Sequence, residues 1–314
     1  MKHYLSINDV DSLPDWVEEA MVLKKNPYQF QDLGRNKTLC LLFFNNSLRT
    51  RLSTQKAAIN LGMDVMVMNF GNDGWALEFE DGTVMGQGTS EHIKEAAQVV
   101  SQYCDIVAIR AFAKLEDRAK DEAEETLNGF AKYATIPVVN LESSTAHPLQ
   151  ALADAMTLAE YNSKPKPKVV LSWAPHPKAL PHAVANSFVK MMKLQDAEFI
   201  ITHPKGYELD PKITKGCQIE HDQDKALQNA DFVYVKNWSS YTDYGKILHQ
   251  DTNWMMTKAK LGKAKFMHCL PVRRNMIVED AVLDGDQSLV VEQAHNRTYA
   301  AQLVLKKLLE KGKG

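Results

Sequence analysis

Short apolar runs separated by helix-length amphipathic stretches recur along the whole chain, and this alternation constrains its fold more than any other feature. In the first half the runs are residues 38–44, 64–69, 105–110 and 137–141, with helical periodicity over 16–24, 47–61, 92–102 and 115–134. Strands alternating with helices at this spacing build βαβ units, hence a mainly parallel sheet covered on both faces. Gly62 stops the second helix. The rhythm then restarts, with strands at 169–173, 198–202, 232–236 and 266–270, helices at 183–192 and 225–230, and a last amphipathic helix over 294–311. Between the halves, Pro148 opens a helix to about Tyr161, a place where its missing N–H costs nothing. The link Asn162-Ser163-Lys164-Pro165-Lys166-Pro167-Lys168 is the clearest boundary. A chain of 314 residues is long for one core and comfortable for two domains of about 150. The fold class expected is therefore α/β, with two doubly wound parallel-sheet domains and a cleft between them.

Few function classes survive the remaining composition. A formal net charge of −2 supplies no broad basic field, which argues against a nucleic-acid partner. Cys40, Cys104, Cys217 and Cys269 are far apart with no paired spacing, so neither a disulfide framework nor a structural zinc site is expected. Residues 1–14 carry no apolar signal segment, and no apolar run approaches the ~20 residues of a membrane span. A cytoplasmic protein with no membrane contact is expected. Residues 71–88 hold five glycines without clean periodicity and read as a long loop, a kind usually functional or disordered.

Ligands of open α/β sheets collect beyond the carboxyl ends of the strands. The first strand ends in Ser47-Leu48-Arg49-Thr50-Arg51, where strand, polar turn and helix N-terminus form an anion site, and Arg forks grip phosphate or carboxylate. The run at 105 ends in Arg110. The run at 137 ends in Glu142 and leads to His147-Pro148-Leu149-Gln150. The later strands end in Trp173-Ala174-Pro175-His176-Pro177-Lys178, in Lys236-Asn237-Trp238, and in His268-Cys269-Leu270-Pro271 before Arg273. Cys269 as a nucleophile has no evident triad partner, and His176 with His182 matches no standard metal spacing. No metal or cofactor is expected.

These motifs, in this order from Ser47 to Arg297, resemble the aspartate/ornithine carbamoyltransferase family. The resemblance implies a carbamoyl phosphate-binding domain (1–146, completed by helix 294–314) and an amine-binding domain (147–293), closing on a site shared between subunits of a homotrimer. It implies that Ser47, Leu48, Arg49 and Thr50 hold the phosphate, and that Thr50, Arg110 and His147 surround the carbonyl oxygen. By the same resemblance, Gln150 and the backbone carbonyls of Cys269 and Leu270 meet the carbamoyl NH2, Arg297 completes the pocket, and Trp75 reaches a neighbour's site. The catalytic set is thus Arg49, Thr50, Arg110, His147, Gln150 and Cys269.

The amine half departs from the ornithine pattern. No Ser-Met-Gly is present; Lys236 stands in the corresponding stretch and would repel a free α-ammonium. The chain is similar here to the N-acylornithine transcarbamylases of arginine biosynthesis, which implies that Glu142, His176, Lys236 and Arg273 bind an N-acylornithine. Acetylornithine members carry an acidic residue directly before Glu91-His92; Ser90 in its place would tolerate a succinyl carboxylate. N-succinylornithine is therefore the expected amine, with N-acetylornithine, ornithine and a non-catalytic regulatory paralogue as the alternatives in that order.

Overall fold

A computed structural model describes residues 1–86 and 88–311. The expected runs form two parallel sheets. In the first, β1 (Thr38–Phe43), β2 (Asp64–Asn69), β3 (Ile106–Ala111) and β4 (Val138–Ser143) lie in the order β2-β1-β3-β4. In the second, β5 (Lys168–Trp173), β6 (Glu198–Thr202), β7 (Gln218–Glu220), β8 (Phe232–Lys236) and β9 (Lys265–Met267) take the order β9-β8-β5-β6-β7. Leu39 stands opposite Val65 on one side and Ile106 on the other, so β1 is central and buries Leu39, Leu41, Leu42 and Phe43.

The helices that matter for the site are α1 (Leu13–Lys25), α2 (Arg49–Asn60), α3 (Ile93–Tyr103), α4 (Glu125–Tyr133), α5 (Pro148–Tyr161), α6 (Ala183–Met192) and α7 (Val290–Lys311). Helix α5 is buried at every position from Pro148 to Leu158. A helix buried on every face must be covered on all sides, and α5 is, by α1, α6 and α7. Its side chains join Leu39 and Leu41 of the first sheet to Val169, Leu171 and Phe232 of the second in one continuous core. α7 crosses back to pack on α1 and α2, so the C-terminal helix braces the first sheet's layer. Residues 312–314, within the expected span of that helix, lie outside the described residues.

Several expectations need correction. Residues 64–69 form a strand, but an edge strand whose side chains are exposed or half-buried rather than buried. The helix expected over 115–134 is broken into Arg118–Ala123 and α4, with Glu124 between them at φ 47°. Glu124 is held there because its Oε1 accepts from Thr145 N–H at 2.7 Å and from Thr145 Oγ1 at 2.8 Å. The loop at 71–88 is partly ordered, by a turn of helix at Phe70–Asp73 and by Leu77–Glu78 pairing in parallel with Glu91–His92; Gln87 lies outside the described residues. The strand expected to reach residue 270 ends at Met267, because His268 N–H leaves the sheet to donate to Gln293 Oε1. The helix expected at 225–230 runs Gln223–Leu227 behind an Asp222 cap, and β7 is too short to give a periodic signal. Gly62 does end α2: at φ 78° a Cβ there would meet Gln31 O at 2.1 Å.

Candidate active site

The carboxyl ends of β1, β3, β4, β5 and β8, with the turn after β9, open into one cavity of about 970 Å³. Ser47, Leu48, Arg49, Thr50, Arg110, Glu142, His147, Gln150, His176, Lys236, Cys269, Leu270 and Arg297 all line it. The apolar wall of Leu115, Leu180, Pro181 and Val184, and the cation Lys114, were missed in the sequence. Leu115 and Lys114 come immediately after a strand end already singled out, so the strand-end rule could have found them.

The polar turn at 45–47 is tied to β3 before the helix begins. Asn45 Oδ1 accepts from Phe112 N–H at 2.9 Å, and Asn46 O accepts from Arg110 Nη1 at 2.7 Å. Helix α2 therefore starts at Arg49 rather than at Ser47, with Leu48 at its cap position and no side chain satisfying its first N–H groups. An uncapped helix N-terminus offers those donors, and the positive end of its dipole, to an anion. The Arg49 side chain makes no hydrogen bond among the described residues, and its buried Nε is unpartnered there. Arg51 is otherwise engaged, bonded to Asn69 Oδ1 and lying 4.4 Å over the Phe43 ring.

Behind this end, three cationic or polar groups converge. Arg297 Nη2 donates to Thr50 Oγ1 at 2.5 Å and lies 3.4 Å from His147 Nε2. Arg110 is clamped to Glu142 Oε2 through Nε at 3.1 Å and Nη2 at 2.9 Å, and sits 4.7 Å over the Phe112 ring. Glu142 also comes within 3.8 Å of His147 Nε2. This is no ion pair, because burial, with Arg297, Arg110 and Lys236 nearby, holds the His147 imidazole well below its ordinary range and neutral. Burial likewise pushes Arg297 down to about 10, still a cation at neutral pH. The cavity thus presents Arg49, Arg110, Lys236 and Arg297 against one lining carboxylate, Glu142. Such a site favours a small dianion.

On the opposite wall, Lys236 ends β8, and its ammonium makes no hydrogen bond or ion pair among the described residues. His176 is fixed by two neighbours: Arg273 Nε donates to its Nε2 at 3.1 Å, leaving Nδ1 to bond Lys178 O at 2.8 Å. Arg273 is exposed and stands at the margin, reaching the cavity only through His176. Leu270 has φ 57°, and its N–H donates to His268 Nδ1 at 2.8 Å. Among the described residues, no donor reaches the carbonyl oxygens of Cys269 and Leu270. Burial pushes the Cys269 thiol up, which is the wrong direction for a thiolate nucleophile.

Two expected residues are not brought here by their own chain. Trp75 is 56% exposed and donates from Nε1 to Glu91 Oε2 at 2.8 Å, beside a separate hollow lined by Phe44, Phe70, Phe79 and Phe112. Ser90 is exposed, with its N–H on Ala76 O at 3.0 Å.

The neutral state of the buried histidines has a measurable consequence. In the unfolded chain His147 and His268 take up protons below about pH 6.5, whereas in the folded chain burial lowers both well beneath that value. Asp154, raised to about 7 by burial, takes up one proton in the folded state over the same range and offsets part of this. The two histidines still leave the unfolded state binding more protons, so stability is kept above about pH 7 and lost as pH falls through that window. The melting temperature should drop between about pH 7.5 and about pH 5.5, and His147→Asn should make the slope shallower. A flat melting profile over that range would contradict neutral burial.

Comparison with known proteins places the chain among relatives that it matches end to end. The family model described as aspartate/ornithine carbamoyltransferase, carbamoyl-P binding domain, matches residues 2–160, and the Asp/Orn binding domain of the same description matches 181–308. The chain is 49% identical to the N-succinylornithine carbamoyltransferase of Bacteroides fragilis over 315 residues, covering 99% of each. It is 34% identical to the N-acetylornithine carbamoyltransferase of Xanthomonas campestris pv. campestris, covering 98% of each. Among solved structures, a mutant N-acetyl-L-ornithine transcarbamylase complexed with carbamyl phosphate and N-succinyl-L-norvaline superposes with a TM-score of 0.93. That pair is 34% identical, with 98% of this chain and all of that one covered.

Proposed function

This chain belongs to the aspartate/ornithine carbamoyltransferase family, and we propose that it transfers the carbamoyl group of carbamoyl phosphate to the side-chain amine of N-succinyl-L-ornithine, giving N-succinyl-L-citrulline and phosphate. The observation that carries the reading is the single cavity in which Arg49, Thr50, Arg110, His147, Gln150 and Arg297 face Lys236. The uncapped end of α2, with Ser47, Leu48 and Arg49, takes the phosphate oxygens. Thr50, Arg110 and the neutral His147 donate to the carbonyl oxygen as it becomes an oxyanion. Gln150 and the carbonyls of Cys269 and Leu270 hold the carbamoyl NH2.

Attack by the neutral amine forms the new C–N bond. Collapse of the tetrahedral carbon breaks the bond to the phosphate oxygen, and the departing phosphate takes the amine's proton. Alignment and exclusion of water supply the rest. No metal or cofactor enters this scheme.

Lys236 complements a substrate whose α-nitrogen is acylated and whose remaining charges are carboxylates. Glu142, with Oε2 spent on Arg110, keeps Oε1 for the amine substrate. Leu115, Leu180, Pro181 and Val184 suit the aliphatic chain between. We assign residues 1–146 with residues 294–314 to carbamoyl phosphate and 147–293 to the acylornithine, with α5 as the layer between them. A homotrimer is consistent with the exposed apolar face Leu48, Leu52, Ile59 and Met66, at 66%, 57%, 53% and 52% exposure. In such an assembly Trp75 and Ser90 would reach a neighbouring cavity. No helix of the described residues is long and apolar enough to cross a membrane; we place the enzyme in the cytoplasm, in arginine biosynthesis.

The deciding experiment is product formation from carbamoyl phosphate with ornithine, N-acetylornithine and N-succinylornithine in parallel. N-succinylornithine should be turned over fastest and ornithine not at all. Ser90→Glu should cut succinyl turnover by about ten-fold or more, because it places a carboxylate against the succinyl carboxylate. Preference for N-acetylornithine would overturn the acyl assignment, and turnover of ornithine alone would overturn the whole amine half.

A further inference from the structure

Behind the cavity wall runs a buried polar chain that the chemistry above leaves unused. Asp154 lies on α5 one turn after Gln150 and is 1% exposed. Its Oδ1 accepts twice, from Gln150 Nε2 at 2.8 Å and from Gln293 Nε2 of α7 at 2.6 Å. Gln293 then uses its Oε1 to accept from the backbone N–H of His268 at 2.9 Å. One carboxylate oxygen therefore connects the glutamine on α5 with the turn that carries Cys269 and Leu270, across the layer between the two sheets.

The consequence is amide polarity. A glutamine amide is nearly symmetric in shape, with a donor end and an acceptor end. The donor end of Gln150 is turned to Asp154, so the acceptor Oε1 is the end left over; it is buried and has no partner among the described residues. An acceptor is what the NH2 of a carbamoyl group requires, whereas the reversed amide would set N–H against N–H. Gln293 obeys the same logic, since only with its NH2 on Asp154 can its oxygen anchor His268. Burial pushes the Asp154 carboxyl up to about 7. A proton on Oδ2 leaves Oδ1 an acceptor, so the arrangement holds in either state.

We propose that Asp154 is the positioning residue for carbamoyl recognition, a buried acceptor that sets the amide polarity of Gln150 and Gln293 together and so fixes the atoms that meet the carbamoyl NH2. This rests on the carbamoyl-transfer reading and names what orients its amide-binding wall.

The test is a kinetic cycle with carbamoyl phosphate and N-succinylornithine, comparing Asp154→Ala, Gln150→Ala and the double variant. Asp154→Ala should lower kcat by about 100-fold in the native background and by about five-fold or less once Gln150 is alanine. Thermal stabilisation by inorganic phosphate should persist in every variant, since Arg49 and Thr50 are untouched. An equal loss in both backgrounds, or native kcat in Asp154→Ala, overturns the proposal. If the alanine variant does not fold, isosteric exchange replaces it. Gln150→Glu should be crippled, and adding Asp154→Asn should recover about ten-fold, because the asparagine NH2 can donate to the new carboxylate. Absence of recovery overturns the proposal equally. Absence of turnover by the wild-type enzyme overturns the carbamoyl-transfer reading beneath it, a distinct outcome.

Discussion

Replacing Arg110 with alanine should lower kcat by about a thousand-fold, the upper range for loss of one pre-aligned oxyanion donor. Arg110 is 8% exposed and held on three sides: by Asn46 O, by Glu142 Oε2, and by the Phe112 ring beneath it. Such a guanidinium needs no reorganisation when charge develops on the carbonyl oxygen. Its removal also strips Glu142 of its cation, leaving a half-buried carboxylate to repel the developing oxyanion. KM for carbamoyl phosphate should rise by a smaller factor, about ten-fold, because Arg49, Thr50 and the end of α2 still hold the phosphate. Arg110→Lys keeps the charge but loses the two-pronged clamp on Glu142, and should fall between the two. Steady-state kinetics on the three proteins, with inorganic phosphate binding as the control for folding, reads this directly. A kcat within about ten-fold of wild type in Arg110→Ala would remove Arg110 from the transition state.

Arg297→Ala should strike ground-state binding instead. Arg297 is 4% exposed, donates to Thr50 Oγ1, and packs against His147. It thereby joins α7 to the phosphate end of α2 and to the start of α5. Losing it should raise KM for carbamoyl phosphate by about 100-fold and lower kcat by about ten-fold, as Thr50 and His147 lose their common anchor. The unliganded protein should melt no earlier than wild type. Arg49, Arg110, Lys236 and Arg297 share one cavity with a single lining carboxylate, so removing one buried cation relieves repulsion and a desolvation cost. The stabilisation that carbamoyl phosphate confers on wild type should largely vanish. A variant that melts much earlier yet keeps its carbamoyl phosphate affinity would make Arg297 a structural residue rather than a ligand.

The strands and helices that build the site were legible because their signals are local. A run such as Val169-Val170-Leu171-Ser172-Trp173 can be satisfied only inside a covered sheet, and an Arg or His at its carboxyl end then follows from the direction of parallel strands. Ranges with competing tertiary partners were less legible. Residues 115–134 have helical periodicity throughout, but Thr145 draws Glu124 out of the helix. Residues 64–69 are apolar enough for a core strand, and their place at the sheet edge is decided by strand order, which periodicity does not encode. Trp75 and Ser90 were attached to the site by resemblance, and in a single chain they lie away from it.

The sequence by itself determined the α/β alternation, the basic strand ends, and the order of motifs from Ser47 to Arg297, because each depends on neighbours a few residues away. Only the tertiary structure decided how those groups are wired. Arg110 pairs with Glu142 across 32 positions, Gln293 with Asp154 across 139, and Arg297 with Thr50 across 247. Separations of that size leave no periodic trace: the first pairing exists because β3 and β4 are neighbours in the sheet, and the other two because α7 packs against α5 and α2 in the buried layer. There, most polar groups that cannot reach water find a partner in the chain.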